Sequence, residues 1–295
     1  MHELIAHLTA GGPVVTDGAW GTQLQQRGLE PGECPDAWNL GRPECVEAVA
    51  CAYVAAGSRI ILTNTFGANR FVLARHGLAE EVAAVNRAGV VLSRQAAAAA
   101  PDGRQVWVFA TMGPSGLMMM SGQVGEGALY AAFAEQAAAL ADAGADALVV
   151  ETMADPAEAR LAVAAGRATG LPVVGCMTFD SGKDGCHTMM GTTPEQGAAV
   201  LLDAGADIVG ANCGQGIAGF LPICQRLHAA SGRPVWIKAN AGMPVIVEDG
   251  IEYRQTPEDF AAAAPELVAA GAGFLGGCCG TTPEFVRALC RRLGE

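Results

Sequence analysis

Apolar residues in this chain come in short unbroken runs separated by longer, Ala-rich stretches of helical character. The runs read SRIILTNTF, DALVVETM, DIVGANCG and GFLGGCCG, and each follows an Ala-Gly pair at 56–57, 143–144, 204–205 or 270–271. Glycine after a helix supplies the left-handed C-terminal cap. A short apolar run bounded by turn residues suits a strand buried on both faces of a parallel sheet. A second signal marks helix starts. Thr193-Pro194-Glu195, Thr256-Pro257-Glu258 and Thr282-Pro283-Glu284 each put Thr at the N-cap, Pro in the first turn and an acid beside the positive end of the dipole.

Extending these signals predicts eight strands, at about 13–18, 58–65, 106–112, 146–152, 172–179, 207–213, 234–240 and 273–279. Helices are predicted at 43–56, 80–99, 128–143, 155–168, 195–204, 218–230, 257–270 and 283–293. Eight alternating units with no Pro/Gly/Ser-rich linker read as one α/β domain over 1–295, a (β/α)8 TIM barrel. The rival is a doubly wound open sheet, but no G-x-G-x-x-G follows the first strand. A barrel requires its chemistry at the C-terminal strand ends. Asp17, Thr63, Asn64, Glu151, Asn212, Cys213, Asn240, Cys278 and Cys279 all fall there.

Composition adds limits. The 295 residues are 51% hydrophobic and only 5% aromatic, which favours close helix–strand packing. Thirty acidic against eighteen basic residues give a formal charge of −12, which argues against nucleic acid and anionic membranes as partners. MHELIAHLTAGG lacks a basic region and a continuous apolar core, so no secretory signal is read there. The uncharged stretch 105–125 is interrupted by Gly, Pro, Ser and Gln and reads as a strand plus loop rather than a membrane span. Ten cysteines without a secretory signal suggest a reduced, cytoplasmic protein and not a disulfide framework.

Most of those cysteines read as small buried apolar groups. Gly276-Gly277-Cys278-Cys279-Gly280 does not. Adjacent cysteines do not readily bridge each other, and flanking glycines free the backbone to bring both thiols toward one point. Cys213, in Asn-Cys-Gly-Gln-Gly, ends a strand two positions away around the barrel. Three thiolates from two strand ends make an open zinc site, with the fourth position left for substrate. Cys186-His187 offers a second metal pair, though its spacing is not that of a closed zinc motif. Met118-Met119-Met120 follows the third strand, either folded onto the barrel or presented to a partner as an adaptable apolar surface.

The stretches DGAWGTQLQQRGL (17–29), ILTNTFGANR (61–70), VVETM (149–153), MTFD (177–180), GANCG (210–214), NAGMP (240–244) and GGCCGTTPE (276–284) together resemble the homocysteine S-methyltransferase family. Within it they resemble most the homocysteine-binding module of cobalamin-dependent methionine synthase. The resemblance covers essentially the whole chain. It implies a barrel with Zn(2+) on Cys213, Cys278 and Cys279 and homocysteine sulfur in the open position. It also implies homocysteine contacts at Asp17, Gly18, Ala19, Thr63, Glu151 and Asn240. Asp17 and Glu151 are expected to hold the ammonium, and the backbone N–H groups of 18–21 the carboxylate. Trp20 departs from the smaller residue usual in related modules and is expected to shape the pocket wall. The folate, cobalamin and reactivation modules of methionine synthase have no counterpart here. The implied reaction is methyl transfer to the homocysteine thiol, giving methionine, with methylcobalamin on a separate corrinoid protein as donor. Two alternatives stand beside it: a small donor such as a betaine or an S-methyl sulfonium, and a non-catalytic zinc or corrinoid-partner binding module.

Overall fold

The computed structural model describes residues 2–247 and 250–294. Among the described residues ten strands form: β1 (Val14–Val15), β2 (Ile60–Leu62), β3 (Trp107–Met112), β4 (Ala147–Met153), β5 (Val173–Met177), β6 (Ile208–Gly216), β7 (Val235–Asn240), β8 (Val245–Val247), β9 (Gly250–Glu252) and β10 (Ala272–Gly277). Eight make one parallel sheet in the order β1-β10-β7-β6-β5-β4-β3-β2, while β8 and β9 form a separate antiparallel hairpin. The ends of that order meet. Arg59 N–H donates to the Val15 carbonyl at 2.9 Å, and Leu62 N–H donates to Asp17 Oδ2 at 2.7 Å. The sheet curls into a (β/α)8 barrel ringed by helices, and the open doubly wound alternative falls away.

The predicted helices are present with small shifts, from Pro43–Ala56 to Pro283–Leu293. Thr193, Thr256 and Thr282 cap their helices through side-chain oxygens, and Thr193 completes a capping box with Gln196. Two differences have local causes. The helix expected at 257–270 is two, Pro257–Ala262 and Ala264–Ala269, because Pro265 has no N–H to continue the ladder. A helix not foreseen, Glu3–Thr9, places Ile5 and Leu8 under the barrel beside Val14, Ile60, Phe109, Trp236 and Phe274.

Those residues form the barrel floor. The Trp236 ring stacks on Phe109 at 5.9 Å and tilts against Phe274 at 5.3 Å. Side chains alternate along a strand, so the residue two positions on faces the same interior one layer higher. Above Phe109, Val149, Trp236 and Phe274 stand Thr111, Glu151, Lys238 and Gly276. A dry aromatic layer thus supports a polar one, which is the base of the site.

Candidate active site and metal centre

The three predicted sulfurs meet. Cys213, Cys278 and Cys279 offer Sγ atoms that all lie within 4.8 Å of one another, with 4.0 Å between Cys213 and Cys279. They are the one group of three or more potential metal-ligating residues this close together among the described residues. Tetrahedral zinc with Zn–S bonds of about 2.3 Å separates its sulfurs by about 3.8 Å, so the donor set fits such an ion.

Local backbone produces the convergence. Cys213 adopts φ 63°, a left-handed conformation rare outside glycine, and breaks the β6–β7 register between Asn212 and Gly216. Cys278 and Cys279 leave the end of β10 in a short loop pinned on both sides. Cys278 N–H donates to Ala239 O at 2.7 Å, Ala241 N–H donates to Cys279 O at 2.9 Å, and Thr281 Oγ1 donates to Cys278 O at 2.8 Å. The same Thr281 hydroxyl oxygen accepts from Ala19 N–H at 3.0 Å, tying this loop to the one after β1. Gly18 has no room for a side chain there. A Cβ would lie 2.7 Å from both Thr281 Oγ1 and Tyr53 Oη.

The thiols perturb one another strongly. Hydrogen bonds from Cys278 and Cys279 pull Cys213 down to about 3. Cys278 is pushed far up, and Cys279 to about 11, first by sharing hydrogen bonds with Cys213 and then by burial. Thiolates this close repel one another, and a cation among them would offset that repulsion.

The cysteines open on a cavity of about 360 Å³ at the C-terminal strand ends. Gly18, Ala19, Thr63 and Glu151 also line it. Glu151 is 7% exposed, accepts from Thr111 Oγ1, and receives Asn212 Nδ2 at 3.3 Å. Burial raises its pKa, opposed by the positive charge of Lys238 and by the Thr111 hydrogen bond. Asp17 and Asn240 sit beside the cavity and not on its wall. Asp17 is fully buried. Its Oδ1 pairs with Lys238 Nζ, and its Oδ2 accepts from Trp20 Nε1 at 2.8 Å as well as from Leu62 N–H. The Asn240 side chain supports the Cys213 sulfur, and its Oδ1 is buried without a hydrogen-bond partner among the described residues.

With this geometry in view, the comparison with known proteins is decisive. The family model for homocysteine S-methyltransferase matches residues 14–293. The chain belongs to the homocysteine S-methyltransferase family. The methionine synthases of Mycobacterium leprae (strain TN) and Mycobacterium tuberculosis (strain ATCC 25618 / H37Rv) are each 32% identical, over 94% of this chain and 24% of theirs. The chain therefore spans about a quarter of the length of these relatives. The crystal structure of the homocysteine methyltransferase MmuM from Escherichia coli, metallated form, superposes with a TM-score of 0.82 at 26% identity, covering 99% of this chain and 100% of that one.

Several residues in and around this cavity were not singled out for a role from sequence. Asn212 is the chief one. Its Oδ1 accepts from Thr152 N–H at 2.7 Å, while Nδ2 reaches Thr152 Oγ1 at 2.7 Å, Glu151 at 3.3 Å and Cys278 Sγ at 4.0 Å. Thr152 has φ 63°, a strained conformation for a β-branched residue, and Asn212 holds it. Thr111 and Lys238 were missed too. The available signal was polar residues two positions beyond Phe109 and Trp236 in otherwise apolar strands. Among the described residues Cys186 and His187 gather no further ligands. The His187 ring lies 2.9 Å from Asp184 Oδ1, and the Cys186 thiol donates to the Asp184 carbonyl.

Asp36 lies on the outer cavity wall, buried, with Oδ1 accepting from Gly67 N–H at 2.9 Å. Burial lifts its pKa to about 6, against some help from that hydrogen bond. A carboxyl whose folded-state pKa exceeds its unfolded one binds its proton first in the native state. Its contribution to stability is therefore lost as pH rises from about 4 to about 6. We expect Asp36→Asn to gain on wild type by about 2–3 kcal/mol between pH 4 and pH 7, measured by denaturant unfolding at both. A difference that does not change with pH would show that Asp36 ionises normally.

Proposed function

We propose that this chain transfers a methyl group to the thiol of homocysteine, giving methionine, with zinc held by Cys213, Cys278 and Cys279. The observation that carries the reading is three sulfurs at metal-binding separation on the wall of a cavity whose buried carboxylate, Glu151, faces the same space. Bound there, zinc would hold the acceptor sulfur as thiolate at neutral pH, where a free thiol near pKa ~8.5 is mostly protonated. The chain's residues do the rest. Glu151 receives the substrate ammonium, held in place by Thr111 and Asn212. Gly18 and Ala19 shape the near wall, and Thr63 the side. The aromatic floor keeps water from below. In the transfer a sulfur–carbon bond forms as the methyl–donor bond breaks, and the electron pair departs with the donor. No acyl intermediate arises, so no oxyanion hole is required. Asp17, its oxygens already engaged, acts as a positioning residue for Trp20 and Lys238.

For the donor, we favour a methyl-corrinoid presented by a separate protein. Large exposed apolar side chains stand in the segments that follow the strands, on the side where a barrel carries its site: Phe66 after β2, Met118 (59% exposed) and Met120 (79%) after β3, Met189 and Met190 after β5, Met243 after β7. Met119 between them packs partly on the core. Exposed methionine in quantity is an adaptable surface for a partner. A second reading, a small donor such as a betaine or S-methyl sulfonium, is favoured by the cavity of about 360 Å³, which a small donor could enter without a partner protein. The non-catalytic alternative has the complete cysteine set and Glu151 against it. Ten cysteines and an acidic surface suit a reduced, cytoplasmic setting. No helix among the described residues is long and apolar enough to cross a membrane.

The test is turnover of homocysteine by the purified zinc-loaded chain with methylcobalamin, a methylated corrinoid protein, betaine and an S-methyl sulfonium. Cys278→Ala and Cys279→Ala should each lose metal and activity together. Full zinc in a Cys213→Ser/Cys278→Ser variant would overturn the ligand assignment. Glu151→Gln should weaken homocysteine binding by about tenfold or more while zinc stays stoichiometric; unaltered affinity would remove Glu151 from the site.

A separate prediction addresses the donor. Replacing Met118, Met119 and Met120 with Ser should lower corrinoid-dependent transfer and leave zinc content and homocysteine binding intact. Undiminished transfer would turn the argument toward the small donors.

A further inference from the structure

We propose that hydrogen bonds from Tyr253, Asn240 and Asn212 damp the nucleophilicity of the three ligand sulfurs and so leave the acceptor's sulfur as the one that takes the methyl group; this rests on the reading of the cysteines as zinc ligands and of a thiol as acceptor. On that reading one ion gathers four thiolates, three from the chain and one from the substrate. Any of them is chemically able to attack the donor. In each case a sulfur–carbon bond forms, the methyl–donor bond breaks and the electron pair leaves with the donor. Methylation of a cysteine would turn an anionic ligand into a neutral thioether and dismantle the centre. A hydrogen bond donated to a thiolate protects it, because the bond stabilises the charged sulfur and nucleophilicity falls as basicity falls.

The chain supplies a donor to each of its own sulfurs. Cys213 receives the Gly214 N–H and the Asn240 side chain. Asn212 Nδ2 lies 4.0 Å from Cys278 Sγ. The Tyr253 hydroxyl serves Cys279. Placement separates these donors from the substrate. All three sulfurs line the cavity, whereas Asn212, Asn240 and Tyr253 do not, so the donors approach the sulfurs from the protein side. Tyr253 is held there by its surroundings. Its neighbours Glu252 and Arg254 are exposed and pair with each other at 2.9 Å, while Tyr253 turns inward and packs partly buried on the core. Gly280, next after Cys279, leaves room for the ring: a Cβ there would lie 2.2 Å from Tyr253 Cγ. The backbone ties the same two segments together. Gln255 N–H donates to Ala241 O at 3.1 Å, and Ala241 N–H donates to Cys279 O at 2.9 Å. Tyr253 is thus a positioning residue that acts on the centre through Cys279.

The experiment treats the zinc-loaded chain with limiting iodomethane, which gives its methyl to a sulfur and departs as iodide. Peptide mass spectrometry then reads S-methylcysteine at each position, and metal analysis reads zinc. Tyr253→Phe removes the hydroxyl and keeps the ring. It should start with stoichiometric zinc, be methylated at Cys279 about three- to tenfold faster than wild type, and lose zinc as that happens. Cys213 and Cys278 should keep their rates, as should partly exposed Cys45 on the helix Pro43–Ala56, which serves as the reference thiol. An unchanged rate at Cys279 overturns the proposal. An equal rise at all three ligands does so too, because the ring would then be only a structural cover. Tyr253→Phe without zinc would make the hydroxyl a ligand and not a donor to Cys279, which also refutes it. A measurement on the wild type stands apart from any variant. With homocysteine bound, and the chain in excess so that little is free, S-methylcysteine at the three ligands should stay below about a tenth of the methionine formed. Ligand cysteines methylated as fast as homocysteine would contradict the proposal. A wild type that takes up no zinc overturns the metal reading itself, and metal analysis before alkylation tells that failure from the others.

Discussion

Three sulfurs within 4.8 Å of one another cannot all carry charge unless a cation sits among them, and much of this molecule is arranged around bringing them together. The cost is visible in the backbone. Cys213 is held at positive φ, the β6–β7 ladder is interrupted to let it turn, and the Cys278-Cys279 loop is fixed by hydrogen bonds from β7, Thr281 and the loop after β1. Strain of this kind persists only where the surroundings over-determine it. Here the surroundings are a closed barrel, whose strands fix the positions from which the sulfurs converge.

The polar layer beneath the sulfurs is equally constrained. Asp17, Lys238, Glu151, Thr111 and Asn212 are all buried, and each is tolerable there only because its partners are present. Lys238 neutralises Asp17, and Thr111 and Asn212 support Glu151. One carboxylate is left facing the cavity from a layer holding two. The aromatic floor of Phe109, Trp236 and Phe274, closed from below by Ile5 and Leu8, excludes water from the base of this network.

Much of this was legible in the sequence. Repeated Ala-Gly endings and Thr-Pro-Glu starts reported the helices, and short apolar runs reported the strands. Strand-end placement then singled out Cys213, Cys278, Cys279 and Glu151, because barrel topology maps strand ends to one face. Tertiary partnerships were not legible. Asp17 was legible as a strand-end carboxylate before Gly-Ala-Trp-Gly, but its partners Lys238, Trp20 and Leu62 were not, two of them being remote in sequence. Asn212 was visible as a strand end, but its bridging of Glu151, Thr152 and Cys278 depends on two register irregularities that no local pattern encodes. The Glu3–Thr9 helix escaped notice because its apolar face is only Ile5 and Leu8, too short a stretch to show a period.

The central claim is that the three cysteines hold zinc with one position open to the acceptor sulfur. X-ray absorption at the zinc edge, on the purified chain with and without homocysteine, addresses it directly. The account predicts three sulfur neighbours at about 2.3 Å and one lighter neighbour before homocysteine is added, and four sulfur neighbours afterwards. A sulfur count that stays the same on adding saturating homocysteine would contradict it.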